Sequence, residues 1–509
     1  MSSSPPIDNQ PSRPSPDAEL GTDHLVKDIG WRSLRGGAVT LGAQGLKVLI
    51  QLGTLVVLAR LLPPAAFGLI AMVAALTALL DVVKEFGFSA VTIQKPEITH
   101  AQVTALFWLN TAAGALIALA VFLAAPALAQ FYDQPDLVPV TRWLAVGFVL
   151  SGLTVQHWAL LRRQMRFGAI AAIETGADVA GFAVAIAVAF AGGDYWALVA
   201  QRLVYNAVGL IASWRLCRWR PARPGPAPGV RDMVRFGGSV TGCYLAVVLA
   251  RSVDQVLIGW LWGPAILGVY ERATKLLMLP LNSINGPVYA VAMPGLSRLV
   301  EHEQRYRALF RQMVQKLAML TMPIFALMAV TSDWVVQIVF GSQWSAAAPI
   351  AMFFCLAATY MPVVIAVGLA YQSQDRTREM LRATFIDCAL CIMAILAGLP
   401  FGAIGVAAAS ALVGLFIRTP VAFWLATRQG PVRLSDLYGA VAPAAAAAIV
   451  AAATVWILRQ EVLTNVRTPT EGLALATLAG LCVIALTLFA LPESRRALLA
   501  LRHLPQRLR

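Results

Sequence analysis

Charged side chains set within long apolar runs are the groups in this sequence able to do chemistry. They are few: Lys47, Arg251, Arg272 and Lys275 among the cations, Glu174, Asp178 and Asp254 among the acids. A cation at such depth is costly unless paired or solvated, so each must face a carboxylate or a water-filled path. Facing a path, it suits an anion, Lys as a compact point charge and Arg through a planar fork of donors. Pairing is the rival reading. Arg251 and Asp254 stand at i, i+3 on one helix and can neutralise each other. Arg272 and Lys275 have Glu271 beside them, and Arg272 can snorkel to a membrane surface. Lys47 has no acid within four residues, so its structural partner would have to come from another helix.

Glu174 and Asp178 lie at i, i+4 on one face of an apolar run that holds no Lys or Arg. Two neighbouring carboxylates in low dielectric favour protonation of one, a means of sensing a coupling proton or sodium ion, with Asp254 a further candidate for that role; the alternative is pairing with Arg202 or Arg142 from adjacent runs. Asp81, Lys84 and Glu85 read as a self-compensating gate cluster at the end of the second run. Asp387 and Arg418 are a further possible pair. Enzyme chemistry finds no support: there is no Asp-x-Asp, no Gly-x-x-x-x-Gly-Lys-Ser/Thr loop and no His-Glu-x-x-His, so no catalytic residue is assigned. The histidines are scattered, and Cys388-x-x-Cys391 sits in an apolar helix without a second cysteine pair, which reads as packing. No metal ligands and no cofactor are assigned.

The elements that must position these groups follow from composition. Of 509 residues 59% are hydrophobic and 13% charged, about half the charge of an ordinary soluble domain. Apolar runs of membrane-spanning length fall near 38–59, 66–88, 103–128, 138–160, 169–191, 194–214, 236–262, 266–292, 313–340, 346–371, 380–399, 403–425, 436–458 and 471–491. The net charge of +14 is distributed among their connections. One side carries Arg32 and Arg35, Lys95, Arg162 to Arg166, the arginines from Arg215 to Arg235, Arg298 to Lys316, Arg376 to Arg382, Arg428 and Arg433, and the C-terminal arginines. The other side has only Arg60, Arg459 and Arg467, beside acidic Asp133 and Asp136. By the positive-inside rule this puts both termini in the cytoplasm and makes the number of spans even. It also removes a nucleic-acid partner, since no single basic patch forms.

The two halves echo each other. Leu61-Leu62-Pro63-Pro64-Ala65-Ala66-Phe67-Gly68 recurs as Leu261-Trp262-Gly263-Pro264-Ala265-Ile266-Leu267-Gly268, and Gly36-Gly37-Ala38-Val39-Thr40 as Gly237-Gly238-Ser239-Val240-Thr241. Six spans is an even number, so the repeat is parallel and a substrate path runs between the halves. The expected fold is an all-α membrane protein of about fourteen transmembrane helices, two six-helix bundles plus two C-terminal helices. Its expected boundaries are a disordered cytoplasmic tail at 1–35, bundles at 36–214 and 236–425 joined by a cytoplasmic linker at 215–235, two helices within 426–491, and a basic cytoplasmic tail at 492–509. Pro280, Pro287 and Pro294 mark possible bends. Leu296 to Gln315 reads either as an amphipathic helix on the anionic leaflet or as a solvated linker.

Leu58-Ala59-Arg60-Leu61-Leu62-Pro63-Pro64 with Phe67-Gly68-Leu69, Phe86-Gly87-Phe88-Ser89-Ala90, and Gly268-Val269-Tyr270 followed by Ala273-Thr274-Lys275-Leu276 and Met293-Pro294-Gly295-Leu296-Ser297-Arg298 resemble segments of the polysaccharide flippases. These form a branch of the multidrug, oligosaccharidyl-lipid and polysaccharide exporter superfamily. The resemblance covers about Gly30 to Arg428. It implies a Wzx-type translocase in the bacterial inner membrane that flips an undecaprenyl-diphosphate-linked oligosaccharide repeat unit to the periplasmic leaflet, for exopolysaccharide, capsule or lipopolysaccharide assembly. The lipid-linked oligosaccharide and membrane lipids are then its partners, and a polysaccharide polymerase and chain-length regulator are compatible with them. Two alternatives stand beside it. A multidrug extruder shares the fold but usually has a carboxylate in the first span, where this chain has Lys47. A glycan polymerase or ligase tends to carry a large periplasmic loop, and every such connection here is short.

Overall fold

The computed structural model describes residues 29–85, 88–95, 97–226, 228–461 and 468–490. The side chains of Lys84, Glu85 and Arg251 lie outside the described residues, as do both expected tails up to residue 28 and from residue 491. The described residues form helices joined by short connections, with no strand among them. In chain order the helices are α1 Ile29–Leu61, α2 Pro64–Glu85, α3 Phe88–Gln94, α4 His100–Tyr132, α5 Leu137–Gly152, α6 Val155–Arg163, α7 Phe167–Phe190 and α8 Trp196–Leu216. They continue as α9 Val230–Ser297, α10 Glu303–Val330, α11 Ser332–Phe340, α12 Ala347–Ser373, α13 Thr377–Gly398, α14 Gly402–Val413, α15 Thr419–Thr427, α16 Leu434–Glu461 and α17 Pro469–Ala490. Ten described helical stretches are long and apolar enough to cross a membrane. In water such surfaces would aggregate; in lipid they are the required exterior.

α9 is two arms rather than one rod. Gly263 has φ 76° and ψ −176°, a backbone state open to glycine and strained for other residues. The chain reverses there, bringing Gly259 against Leu267 and the Tyr270 hydroxyl onto Asp254 at 2.8 Å. The arms, 230–262 and 264–297, match the expected separate spans. Beyond Gly263 the second arm stays helical through Pro280 and Pro294. The described part of α1 already takes in residues 29–35, which the sequence reading gives to the disordered tail.

The expected linker is shorter and better anchored than its composition suggests. α8 ends at Leu216 and α9 starts at Val230. Between them the Trp219 indole N–H donates to His100 Nδ1 at 3.1 Å, Trp108 Nε1 to the Ala222 carbonyl at 2.9 Å and Gln102 Nε2 to the Pro228 carbonyl at 2.9 Å. Trp219 is buried and packs edge-on to Phe107 and His157, while His157 stacks on Trp214. His157 is thus a packed residue of an aromatic cluster.

The segment from Leu296 to Gln315 is not a separate interfacial helix. Its second part is the first turns of α10, and Tyr306 and Phe310 are buried against Leu437 and Ala440 of α16 instead of lying in lipid. Arg307 pairs with Asp436, its Nη2 donating to Oδ1 at 2.8 Å. A protein face was available to cover the apolar side, so the membrane was not needed.

The repeated segments meet one another. A Cβ at Gly68 would stand 1.7 Å from the Pro264 carbonyl oxygen, and one at Gly268 would stand 1.9 Å from the Pro64 carbonyl oxygen. α2 and the second arm of α9 therefore cross at backbone contact, each glycine receiving the other copy's proline turn. Around this crossing one continuous core joins both halves, with Leu58, Met72 and Leu137 on one side and Leu267, Tyr270, Phe340 and Trp344 on the other. Trp344 Nε1 and Gln343 Nε2 both donate to the Ala59 carbonyl, at 2.7 and 2.6 Å, and Arg60 Nη2 donates to the Ile338 carbonyl at 2.5 Å. This end is sealed.

Two outcomes follow. Gly68→Ala puts a methyl group against backbone that has no rotamer to yield, so overpacking should cost about 1–3 kcal/mol and lower the Tm in detergent. Spin labels at Leu61 and Ser345 should then lie farther apart than in the wild type; an unchanged distance and Tm would contradict the close crossing. Trp219→Ala, which empties a buried aromatic site at a cost of about 3–5 kcal/mol, should hasten proteolytic cleavage between residues 217 and 229, as read on gels.

Candidate functional site

Away from the sealed end, the two halves separate around a cavity of about 720 Å³. Its closed end is formed by Leu58, Phe67 and Arg272, and its lining runs along α1, α2, α5, α7, α8 and the second arm of α9 to Asp81 and Asn282. Lys47, Asp178, Arg202, Glu271 and Lys275 also face it. Of the candidate residues read from sequence, the structure gathers Lys47, Asp178, Arg272, Lys275 and Asp81 here, with Glu174 joined to them through Lys47.

Lys47 has found the partner that its own helix lacks. Its Nζ donates to Glu174 Oε2 at 2.7 Å, both side chains being about one quarter exposed. α1 packs along α7, and the i, i+4 spacing of Glu174 and Asp178 puts both acids toward this contact. Neither Arg202 nor Arg142 is the partner; Arg142 lies over the Phe122 ring at 4.9 Å. Asp178 Oδ2 is buried with no hydrogen-bond partner among the described residues.

On the facing half, Glu271 holds two cations. Arg272 Nε donates to its Oε2 at 2.7 Å and Lys275 Nζ lies 2.5 Å from its Oε1. Glu271 and Arg272 are both buried. Arg272 does not snorkel outward: its guanidinium sits 4.2 Å over the Phe67 ring, where the ring's negative face and Glu271 together replace water. Lys275 remains 56% exposed and is the cation of this triad that a ligand can reach.

Asp254 lies outside the cavity. It accepts from the Tyr270 hydroxyl and from the Gln255 N–H, both at 2.8 Å, and so braces the hairpin at Gly263. The Asp387–Arg418 pair forms, bidentate at 2.8 and 2.8 Å, also outside the cavity. Asp81 faces the cavity mouth, while its proposed gate partners Lys84 and Glu85 are outside the described side chains.

The sequence alone offers Arg202 only as a partner for Glu174 and Asp178. It is an exposed cavity cation with no carboxylate in ion-pair range among the described residues. The missed signal was a polar stripe in an apolar span: Gln201, Arg202, Tyr205 and Asn206 occupy one face of α8 and all line the cavity. The arrangement can therefore offer one uncommitted guanidinium, two ammonium groups held by single carboxylates, and several amide and hydroxyl groups. That is equipment for holding an anionic polar group.

The comparisons with known proteins agree with this architecture. Residues 57–349 match the model of the polysaccharide biosynthesis protein family. The teichuronic acid biosynthesis protein TuaB of Bacillus subtilis (strain 168) is 30% identical over 54% of this chain and 57% of its own length. The lipopolysaccharide biosynthesis protein WzxC of Escherichia coli (strain K12) is 27% identical over 70% of this chain and 74% of its own. Among solved structures, the lipid II flippase MurJ in an inward closed conformation superposes with a TM-score of 0.72 at 11% identity, over 90% of this chain and 98% of that one. An inward-facing MATE family multidrug resistance transporter of the MOP superfamily gives 0.55 at 14% identity, over 79% and 99%. Those two likenesses concern the fold, a multi-pass helical membrane architecture of two facing bundles. With more than half its length matched by one family model, the chain belongs to the polysaccharide biosynthesis protein family.

Proposed function

We propose that this protein flips an undecaprenyl-diphosphate-linked oligosaccharide repeat unit from the cytoplasmic to the periplasmic leaflet of a bacterial inner membrane, for exopolysaccharide, capsule or lipopolysaccharide assembly. The observation that carries the reading is the cavity between the halves, sealed at the arginine-poor end and equipped with Lys47, Arg202, Arg272 and Lys275. A diphosphate bearing sugars cannot cross hydrocarbon unaided, and these cations would offset its charge in a site where water is scarce. The names of the relatives, teichuronic acid and lipopolysaccharide biosynthesis proteins, support a glycan cargo. In this reading the activity is transport without covalent chemistry. The positive-inside rule places the arginine-rich end, and with it both termini, in the cytoplasm. The cavity then faces the leaflet where the cargo is made, and a polymerase and chain-length regulator would act on the far side. Asp178, unpartnered at Oδ2 next to Glu174, is where a coupling proton or sodium ion would act.

The pairing of Lys47 with Glu174 sharpens the test. Lys47→Ala should reduce glycan export about tenfold or more in a strain lacking the native protein, since an anion loses several kcal/mol with a close cation. If Lys47 only neutralises Glu174, adding Glu174→Gln should restore export. If it contacts the diphosphate, the double variant stays defective, which is the outcome expected here. Arg202→Ala, at an exposed site, should lower export at an unchanged Tm, with Arg202→Lys retaining part of it. Full export by well-expressed Lys47→Ala and Arg202→Ala together would sink the anionic-cargo reading. Orientation is checked separately: alkaline phosphatase fused after Arg223 or Arg378 should be inactive, and after Gln134 active.

A further inference from the structure

Beside the main cavity, in the first half of the chain only, lies a second chamber of about 200 Å³. Ser151, Tyr205 and Asn206 line both spaces, so the two are joined through a shared polar wall. The rest of the chamber is built by Ser89 of α3, by Thr154, Val155, Trp158, Ala159 and Arg162 at and within α6, and by Gly209 of α8. It contains no carboxylate and one cation, the exposed Arg162. Such a lining suits neither an acyl chain, which would strand its hydroxyl and amide groups, nor a diphosphate, which would meet a single solvated guanidinium.

Three of its polar groups lack protein partners. The Asn206 amide, the Ser89 hydroxyl and the Trp158 indole N–H are part-buried yet make no hydrogen bond to a described residue. Polar groups so placed are completed by water or by a ligand. The local sequence keeps the space open. A Cβ at Gly147 would lie 2.8 Å from Asn206 Nδ2, so that glycine leaves the amide its position. A Cβ at Gly209 would meet nothing within 4 Å, so that glycine leaves the chamber floor empty. A flat aromatic ring together with hydroxyl and amide groups matches the two surfaces of a pyranose, an apolar C–H face and a hydroxyl edge. Along α8, seven residues or roughly 10 Å at the helical rise separate Arg202 from Gly209. A glycan whose diphosphate lies against Arg202 reaches the chamber within its first few sugars.

We infer that this chamber is a saccharide subsite, holding one sugar ring of the cargo whose diphosphate occupies the main cavity; the inference rests on the transport reading above. The test uses purified full-length protein and two probes, undecaprenyl diphosphate without sugar and the lipid-linked saccharides extracted from the producing strain. Gly209→Leu, which fills the floor, should weaken saccharide-lipid binding about tenfold, the scale of a lost contact of about 1.4 kcal/mol, and leave undecaprenyl diphosphate binding unchanged. Trp158→Ala should do the same and Trp158→Phe should recover most of the affinity, which keeps the test open if the leucine variant folds poorly. Saccharide-lipid affinity unchanged in both Gly209→Leu and Trp158→Ala overturns the subsite. Equal weakening of both probes also overturns it, because the chamber would then serve the fold or the head group as a whole. Failure of the wild type to bind either probe is a distinct result that overturns the transport reading, and this one with it.

Discussion

Hydrocarbon does not hydrate charge, and that constraint organises the interior of this protein. Lys47 is met by Glu174 across two helices, Arg272 and Lys275 share Glu271, and Arg418 takes Asp387 in a bidentate pair. Each pair joins elements as well as charges. Lys47–Glu174 ties α1 to α7, and Arg418–Asp387 ties the π turn after α14 to α13. Glu271 does something different, gathering two cations of its own helix where Phe67 from the other half closes over one of them. Lys47–Glu174 and the Glu271 triad thereby set part of this charge along the cavity between the halves, while Arg418 and Asp387 compensate each other away from it.

A second constraint acts at the sealed end. Two helices approach to backbone contact only where side chains are absent, and Gly68 and Gly268 provide that absence at equivalent points of the two copies. The reciprocity has a mechanical consequence. Each glycine accepts the proline turn of the other copy, so loosening either contact loosens both, and the seal behaves as one unit. Arg272 lies one helical turn beyond Gly268 and stacks on Phe67, next to Gly68. Opening that end must therefore disturb the Arg272–Glu271–Lys275 triad, which couples closure of the far end to the charge arrangement inside.

Much of this was legible in the residues before any coordinates. The apolar runs, the reversal at Gly263, the internal repeat and the cluster of intramembrane cations all rest on local spacing, which a sequence displays directly. The partner of Lys47 was not, because residue 174 is distant along the chain and several carboxylates were equally eligible. Arg272 was expected to reach outward on the strength of its helix position; the covering ring comes from α2, which spacing within α9 does not show. The supposed surface helix at Leu296 to Gln315 has the right periodicity for lipid, but periodicity reports an apolar face and not its cover, here α16. Arg202 belongs to a polar stripe on α8 whose role depends on the cavity it faces, and the walls of that cavity come from other helices that the stripe itself does not reveal.

The pairing pattern also bears on how a cargo is taken up and let go. Were the cavity lined by bare cations, the empty protein would carry uncompensated charge each time the halves closed on it, and a diphosphate once bound would be held too tightly to leave. In the proposed transport, with Lys47 and Lys275 resting on single carboxylates, an incoming diphosphate would exchange one anion for another and the net interaction would be a difference between two similar terms. Arg202, with no carboxylate of its own among the described residues, can make the first contact without breaking anything. Release would then need only that Glu174 and Glu271 reclaim their cations, and a change at the sealed end, felt by the Glu271 triad through Phe67, would shift that balance. Modest net affinity is what carriage demands, since a carrier must bind on one side and unload on the other.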